Sequence, residues 1–421
     1  MKLCLKDILI LVNNRQFNES IKHLDTLIKK DKNNFDYYYL IAISYLNLNE
    51  FTKAIENFSL AINIKDKNFL AYHFRGISYL KLNLNDKAEE DFNKVISLKS
   101  DFPDVYNNLG FLFYANGKNE AAIENFTKSI KLNKDHLQAK SSLINALSHT
   151  ENVKINKSEI ISAHNEINKI NFHYSSIEFI KEQNIRELLN KANNIIDKDL
   201  KDLNFNITQI YRRHKNILNC KRYKKIFNTH DVIPKYCFGC YKIQIEPNNV
   251  VDLIKLYFLF DNISLNNNNL RKCMIEFRSN IQGNYKGLIY CDSLNESEFI
   301  QNQLTELLEN NFDKKLLCKI KRGCTEFGMK YHKYDNLTDD AMIYKPEWEK
   351  YENLIDVKYP ELRLDRIITP SIKGVSLNDV LIIRNWLTYA RMIGDQTYKI
   401  ISDQIFNSNF IEKKLKLRIF N

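Results

Sequence analysis

Two cysteines three positions apart are the residues in this chain whose type and spacing most readily suggest chemistry. Cys237 and Cys240 lie in the stretch YCFGC. Thiolates at this spacing can bind zinc or an iron–sulfur cluster, and a pair of nearby thiols can also cycle through a disulfide. Buried cysteines can equally be small apolar side chains without any reaction. One such pair leaves these alternatives open, so the elements around it must decide between them.

The composition places these thiols in a long chain rather than in a small disulfide scaffold. Eight cysteines occur in 421 residues, and seven of them lie from Cys220 to Cys324. This usage predicts a reducing cytoplasm. No uncharged apolar run reaches the length of about 18 residues that a membrane span needs, and the start of the chain does not predict a signal peptide. The length suffices for two or three separate cores.

The charge points to the later part of the chain. The formal net charge is +11, but much of it comes from a composition crowded with lysine and asparagine. Arginine is more informative, because only Arg15 and Arg75 occur in the first 150 residues and the other twelve follow. A guanidinium pairs with carboxylates and phosphates through two parallel hydrogen bonds. Ordinary ion pairing is the first expectation for these arginines, and an anion site in the later part of the chain is the alternative.

The first third of the chain repeats itself every 34 residues. Four kinds of side chain recur at this interval, and the sets are Ala42, Gly76 and Gly110; Tyr45, Tyr79 and Phe113; Ala54, Ala88 and Ala122; and Phe58, Phe92 and Phe126. Between them, apolar residues recur three and four apart, which predicts two amphipathic helices in each unit. The small residues are expected where the two helices cross closely.

These positions resemble the tetratricopeptide repeat family. Three units, about 35–66, 69–100 and 103–134, carry the pattern, and residues 1–33 form a degenerate first unit. The closing proline of the family is replaced by Asp66, Ser100 and Lys134. The resemblance implies an all-α solenoid over residues 1–150, with an end helix at 136–149.

The same resemblance implies a groove that binds a protein or a peptide. Transferred position by position, its lining is Tyr39, Ile43, His73, Ile77, Asn107, Phe111 and Tyr114. This set is aromatic and aliphatic and lacks the lysine and asparagine pairs with which some family members hold a free carboxylate. The alternative is that the following segment of the same chain covers the groove.

The remainder is expected to form three further parts. Residues 151–230 have helical periodicity and predict a helical connecting layer. Residues 231–338 give the order β-α-β-β-α-β, which predicts an α+β domain of the ferredoxin-like kind with strand order 4-1-3-2. Residues 339–421 predict a mainly helical C-terminal extension. The fold class is thus a multidomain chain, with an all-α solenoid followed by an α+β domain.

One face of the predicted sheet is polar and carries both signs of charge. Alternation along the strands places Lys242, Gln244, Glu246, Glu276, Arg278, Lys319 and Lys321 on this face. RNA-binding domains of this topology stack bases on aromatic side chains there. The strand KGLIYC lacks most of their signature, and Glu246 would repel phosphate, so binding of nucleic acid is not expected.

The predicted topology gives the thiols a common location. The strand order should bring Cys237, Cys240, Cys273, Cys291 and Cys324 to one pole of the sheet, near Arg271 and Arg322. Three hypotheses follow: unmetallated thiols near a pocket or core, a zinc or iron–sulfur site, and a redox pair. Cys318 should lie in the core instead.

No known catalytic motif occurs, so no catalytic residue is assigned. The most enzyme-like stretch places Cys324, Glu326 and His332 after the last strand. We predict a cytoplasmic interaction protein that binds a protein or peptide through its repeats. The alternative is an enzyme or metal-binding protein that acts on an anionic ligand at the pole of cysteines and arginines, with Arg271 and Arg322 as anion-binding residues and the repeats recruiting a protein substrate.

Overall fold

The computed structural model describes most of the chain in two compact units, Met1–Leu143 and Ile144–Asn421. The described residues are 4–150, 153, 158–170, 181–200, 203, 205–212, 219–279, 281–338, 340–363 and 370–419. Within the described part, no helix is both long and apolar enough to cross a membrane.

The first unit is a succession of antiparallel helix pairs. Its helices are α1 (Leu5–Asn13), α2 (Phe17–Ile28), α3 (Phe35–Asn47), α4 (Phe51–Ile64), α5 (Phe69–Lys81), α6 (Asn85–Leu98), α7 (Pro103–Ala115) and α8 (Asn119–Leu132). The boundary between the units falls inside α9 (Leu137–Leu147). Each helix contacts the next one along the chain from α1 to α8, so the packing in this unit is largely local in sequence.

The turn inside each helix pair is also repeated, including in the degenerate first repeat, residues 1–33. The residues with positive φ in these turns are Arg15, Asn49, Asn83 and Gly117, at φ angles of 61°, 60°, 57° and 73°. They are spaced by 34 residues. In each turn the amide that follows donates to the carbonyl five residues upstream, at 2.8–2.9 Å. This bond satisfies a carbonyl that the helix end leaves without a partner. The degenerate first repeat therefore keeps the backbone geometry of the other three repeats.

The small residues of the repeat lie where a phenylalanine from the second helix crosses the first. A Cβ atom placed on Gly76 would come within 2.7 Å of Phe92, and one on Gly110 within 2.5 Å of Phe126. Both rings are buried. The sequence pattern of a small residue followed by a phenylalanine sixteen positions later therefore encodes close helix crossing.

The second unit combines an antiparallel sheet with helices from both ends of its sequence. Its helices are α10 (Glu159–Ile170), α11 (Glu182–Asp199), α12 (Cys220–His230), α13 (Val250–Asn262), α14 (Leu294–Asn311), α15 (Thr325–Lys330), α16 (Glu349–Lys358), α17 (Leu377–Ile393), α18 (Tyr398–Ile401) and α19 (Asn409–Ile419). Its strands are β1 (Gln209–Arg212), β2 (Tyr241–Glu246), β3 (Arg271–Ile275), β4 (Tyr285–Cys291) and β5 (Leu317–Arg322). Short 3₁₀ turns lie at Lys235–Phe238, His332–Tyr334, Pro346–Trp348 and Pro360–Arg363.

The five strands are ordered β1-β3-β4-β2-β5, and every pair is antiparallel. The four strands that the sequence predicts, β2 to β5, follow the predicted order 4-1-3-2 within this sheet. The added edge strand β1 corrects the expectation that residues 151–230 are a purely helical layer. It has four residues, too few for its alternation to stand out between helical segments.

One face of the sheet is covered by helices. Helix α13 contacts β3 and β4, and α14 contacts β2, β4 and β5. The approach is close at Gly287, where a Cβ atom would lie 2.3 Å from the Leu256 side chain. The central pair Ile243 and Ile289 lies fully buried in this layer.

The C-terminal part of the chain is built into this unit rather than extending from it. Helix α17 contacts α10, α11, α13 and β1. Its Trp386 is fully buried, and the indole Nε1 donates to the Thr208 carbonyl at 2.9 Å. Tyr389 donates its hydroxyl to the Glu276 carbonyl at 2.8 Å. The boundary expected at residue 339 therefore does not separate two cores.

Candidate functional site

The sheet face opposite α13 and α14 forms a cavity of about 680 Å³. Alternate residues of all five strands line it, together with residues from α12 and α15. The sequence predicts seven of these side chains, and the cavity contains them all: Lys242, Gln244, Glu246, Glu276, Arg278, Lys319 and Lys321. The regular alternation of strand side chains thus places a polar, charged wall on this face.

Three ion pairs neutralise part of the wall. Glu246 accepts from Lys319 at 2.7 Å, and Glu276 pairs with Arg278 at 2.8 Å. Glu326 of α15 pairs with Lys224 of α12 at 3.1 Å. Burial alone would raise the pKa of Glu246 and Glu276. Their basic partners stabilise the charged carboxylates by more than this, so both pKa values are lowered.

Four further lysines line the cavity, one on each of β2, β3, β4 and β5, and they are Lys242, Lys272, Lys286 and Lys321. Among the described residues none of them has an acidic ion-pair partner. Burial lowers the pKa of all four side chains, and it brings that of Lys272 to about 8. We call this set the lysine cluster.

The structure brings three of the predicted thiols together. Cys240 and Cys324 line the cavity, and Cys237 lies behind them in a small apolar core. Cys220, at the start of α12, joins them in the lining. Cys237 donates a hydrogen bond to the sulfur of Cys324. A cavity wall therefore carries a hydrogen-bonded thiol pair with one member accessible.

The two members of the pair differ in acidity. The hydrogen bond from Cys237, assisted by the ammonium groups of Lys242 and Lys224, holds the pKa of Cys324 below its usual value. The same hydrogen bond, together with burial, raises the pKa of Cys237. Cys324 is therefore the first of the two to become a thiolate, and Cys237 keeps the proton.

The other two predicted thiols lie elsewhere. Cys273 and Cys291 are buried on the helix-covered side of the sheet, because their neighbours Lys272 and Tyr290 occupy the cavity side. Burial raises the pKa of both thiols. Strand order alone suggested one pole for all five cysteines, but alternation separates them by face. Within the described residues no group of three or more histidine, cysteine or carboxylate side chains is arranged to hold a metal ion.

The two predicted anion-binding arginines are engaged by the protein itself. Arg271 donates from Nη1 to the carbonyls of Phe260 and Ile263 at 2.5 and 2.6 Å, at the C-terminal end of α13. Arg322 donates to the Tyr241 hydroxyl at 2.6 Å and to the Phe238 carbonyl. Both are buried on the side of the sheet that faces the helices. Arginines that close helix ends and loops in this way lie outside the cavity lining.

Sequence reasoning missed Lys272 and Lys286, although a signal for them exists. Lys272 is four residues before Glu276, and Lys286 is four before Tyr290. An even spacing along a strand keeps side chains on one face. His332, by contrast, was singled out in the sequence but is exposed and is not part of the cavity lining.

The predicted groove of the first unit divides into accessible and buried positions. Tyr39, Ile43, Ile77, Phe111 and Tyr114 are half-buried. His73 and Asn107 are 4% and 3% exposed. The His73 ring packs 4.9 Å from Phe102 and 5.2 Å from Phe74, and its burial lowers its pKa to about 4. His73 is therefore a neutral packing residue.

We expect Cys324 to be the fastest-alkylated cysteine of the second unit at pH 7, because the thiolate is the nucleophile and this sulfur borders the cavity. Because the pKa of Cys324 is lowered in the folded protein, its thiolate persists at pH values where an ordinary cysteine is protonated. The thiolate is lost only as the pH falls through this lowered pKa. Replacing Cys237 with alanine removes the hydrogen-bond donor and should slow alkylation of Cys324 at pH 7 by about an order of magnitude. Rates follow from iodoacetamide labelling and peptide mass spectrometry across pH.

The matched control for this experiment is Cys318→Ala, which removes a half-buried thiol of β5 outside the cavity lining. This variant should leave the rate at Cys324 unchanged. An equal rate in the wild-type and Cys237→Ala proteins would contradict the shared proton between Cys237 and Cys324.

The geometry defines a protein of two units: an array of helix pairs, and an α+β domain whose sheet carries a basic cavity. The helix pairs of the first unit are tetratricopeptide repeats. Families described as "Tetratricopeptide repeat" match residues 7–68 and 103–136, and one described as "TPR repeat" matches residues 78–117. No curated protein has a significant match to the chain.

Solved structures of other proteins are similar to part of this chain. One is MamA from Desulfovibrio magneticus RS-1, at 13% identity over 47% of this chain and 93% of that chain, with a TM-score of 0.34. Another is TTC0263, a thermophilic TPR protein of Thermus thermophilus, at 18% identity over 33% and 77%, with a TM-score of 0.31. A third is YrrB, a TPR protein with an unusual peptide-binding site, at 15% identity over 45% and 82%, with a TM-score of 0.31.

Proposed function

We propose that this protein is an interaction protein whose repeats bind a protein or peptide partner. The observation that carries the proposal is a row of half-buried apolar and aromatic side chains on the first helices of successive repeats, comprising Tyr39, Ile43, Ile77, Phe111 and Tyr114. Such side chains gain free energy when a partner removes their remaining surface from water. His73 and Asn107, which are buried, position this row rather than contact the partner.

We place the protein in the cytoplasm, because its cysteine usage fits a reducing environment. We assign the second unit to the ferredoxin-like class, with β1 added at one edge, on the strength of its strand order and its two helices on one face. Fold class alone does not define what this unit does.

The enzyme alternative has less support at the residues first predicted for it. Arg271 and Arg322 already donate to backbone carbonyls and a tyrosine. Cys324 retains a suitable environment for a nucleophile, and among the described residues of the cavity lining none is a histidine that could serve as its base.

The proposal is tested with the full chain in which Ile43 and Ile77 are both changed to glutamine. Partners captured from the source cells by the wild-type protein are identified by mass spectrometry, purified and titrated against both proteins. We expect the double variant to bind its partner at least about tenfold more weakly, since two apolar contacts are lost. The measurement is the dissociation constant from calorimetry.

The matched control changes Leu60 and Leu84 to glutamine, because these leucines are 45% and 41% exposed and lie outside the predicted groove. The control should bind the partner like the wild type. Equal affinity of the Ile43/Ile77 variant and this control would overturn the proposed groove.

A further inference from the structure

Among the described residues that line the cavity on the open face of the sheet, basic side chains outnumber acidic ones. Seven lysine or arginine and three glutamate side chains are in this described lining, which leaves a formal excess of four positive charges. Each acidic group already has a basic partner at 2.7–3.1 Å. The excess therefore resides in the lysine cluster of Lys242, Lys272, Lys286 and Lys321.

The strand register distributes these four charges along the cavity wall. Lys242 and Lys321 are directly opposite each other on β2 and β5. On the neighbouring pair, Lys272 is opposite Leu288 and Lys286 is opposite Met274. Adjacent strands are about 4.8 Å apart, and every second residue advances about 6.6 Å. Lys242 lies opposite Tyr290 on β4, four residues from Lys286, so the backbones at these two lysines are about 13 Å apart along the strands. The four lysines therefore line different parts of one cavity, as separate phosphate groups of one ligand would require.

Such an arrangement costs free energy in the empty protein. Lys242 and Lys286 are only 6% and 3% exposed. Burial of a cation is unfavourable unless an opposite charge or hydrogen bonds compensate it, and like charges directly opposite on a sheet repel. The lowered pKa values of the cluster record this cost. An anion placed among the four lysines removes it.

Two of the ammonium groups are held in position and still have protons to donate. Lys242 Nζ donates to the Gly323 carbonyl and to Thr325 Oγ1, both at 3.0 Å. Lys286 Nζ donates to the Gln282 carbonyl at 2.6 Å. An ammonium group has three protons. Lys242 thus retains one proton to donate, and Lys286 retains two. Because both side chains are already fixed in place, they lose less conformational freedom when a ligand binds.

We propose that this cavity binds a small molecule that carries two or three phosphate groups, held by Lys242, Lys272, Lys286 and Lys321. A phosphate group carries about 1.5 to 2 negative charges at pH 7, so two or three of them balance an excess of four, whereas four carboxylates would be required. Lysine binds phosphate as a point charge. The volume of about 680 Å³ falls in the range of small-ligand sites.

The rest of the wall suits the organic part of a phosphate ester. Tyr211, Met274, Phe277, Leu288 and Tyr290 line the same cavity. Lys272 Nζ lies 5.4 Å from the centre of the Tyr211 ring, so the charged and aromatic parts of the wall are adjacent. A ligand with phosphates at the lysines can therefore place an apolar or aromatic group against these side chains.

The same face is poorly suited to a nucleic-acid strand. Sheets that bind single-stranded RNA stack bases on aromatics of the two central strands. Here Tyr290 of β4 is in the cavity, but β2 presents Lys242, Gln244 and Glu246. The carboxylates of Glu246 and Glu276 interrupt the positive surface that a phosphate backbone would follow. We therefore infer a small ligand.

The test titrates the full-length protein with orthophosphate, pyrophosphate and tripolyphosphate and follows tryptophan fluorescence and calorimetric heat. Both tryptophans of the chain, Trp348 and Trp386, are in the second unit, so their unfolding midpoint reports on the unit that holds the cavity. Tripolyphosphate should saturate the protein, raise this midpoint and bind more tightly than orthophosphate. Lys272→Gln combined with Lys321→Gln should weaken tripolyphosphate binding by about tenfold or more.

The double variant must also fold. Because the substitutions remove two half-buried cations, the unfolding midpoint of the double variant without ligand should equal or exceed that of the wild type. This measurement separates lost binding from lost structure. The matched control is Lys413→Gln with Lys414→Gln, which removes the same charge from two exposed positions of α19. It should bind tripolyphosphate like the wild type.

Three results would overturn the proposal. One is the absence of saturable binding for all three phosphates. A second is equal binding by the cavity variant and the α19 control, which would indicate a nonspecific effect of net charge. The third is tighter binding of a single-stranded oligouridylate than of tripolyphosphate through the same lysines, which would indicate a nucleic-acid surface instead.

Discussion

Replacing Arg212 with methionine is expected to lower the free energy of unfolding of the second unit by about 3–5 kcal/mol. Arg212 is 2% exposed and lies on the edge strand β1. Its Nη2 donates to Asp379 Oδ2 at 2.6 Å and to the Gly374 carbonyl at 2.7 Å, and its Nε is 3.2 Å from Asp261 Oδ1. Removing the cation leaves buried carboxylates without their compensating charge.

The network that this arginine completes joins three parts of the unit. Asp261 is in α13, and Asp379 is in the first turn of α17, where it also accepts from the Ser376 amide at 2.8 Å. Burial lowers the pKa of Arg212, but the nearby Asp379, Tyr257 and Asp261 raise it by more, so the pKa lies above its usual value. The arginine is therefore charged at all accessible pH values, and its loss cannot be relieved by deprotonation of the side chain.

Urea unfolding followed by tryptophan fluorescence measures this effect, because both tryptophans are in the second unit. The matched control is Lys416→Met in α19, whose ammonium forms an exposed pair with Glu412 at 3.0 Å. An exposed pair contributes about 1 kcal/mol or less. If Arg212→Met costs no more than this control, the buried network does not stabilise the unit.

A second variant shows whether unpaired charge is the cause. Adding Asp379→Asn to Arg212→Met removes one of the two carboxylates, so the double variant should regain part of the lost stability. A double variant that loses the sum of the two separate effects would instead show that packing around β1 is responsible.

This network marks a limit of sequence reasoning. Its members are separated by 49 and 118 positions, from Arg212 to Asp261 and from Asp261 to Asp379. Each of them reads locally as an ordinary surface charge. Only the pairing of β1 with β3 and the return of α17 onto the sheet bring them together. For the same reason, the C-terminal extension could not be assigned to the core of the second unit in advance.

The repeats illustrate what a sequence can determine. Each helix packs mainly against the next one along the chain, so the residues that meet are close in sequence and recur every 34 positions. Gly76 and Phe92 are sixteen positions apart and in contact. The strands β2 to β5 could be found in a similar way, since each is long enough for alternation to show.

The candidate site falls between these two cases. Alternation places Lys242 and Lys321 on the open face, and the same rule would have added Lys272 and Lys286. It does not tell which charges neutralise each other, because this depends on register and side-chain reach. Arg271 and Arg322 show the difference, since their types suggest anion binding whereas their positions make them partners of backbone carbonyls.

Replacing Phe92 with alanine is expected to destabilise the first unit locally by about 3–5 kcal/mol. The Phe92 ring is fully buried against Gly76. Glycine has no side chain that could fill the space left by the ring. Its neighbours in the cluster include Val95, Val105 and Leu109. A cavity at this point separates α6 from both α5 and α7, because contacts in an array of repeats run between nearest neighbours.

Hydrogen exchange with mass spectrometry locates this effect, since the first unit has no tryptophan. Peptides from α5 to α7 should lose protection in Phe92→Ala, whereas the tryptophan-detected unfolding of the second unit should not change, because the change lies in the other compact unit. The matched control is Leu60→Ala in α4, where the side chain is 45% exposed and its loss leaves no internal cavity. Equal exchange in the two variants would mean that the crossing of Gly76 and Phe92 does not hold the repeats together, and the 34-residue pattern would then need another physical cause.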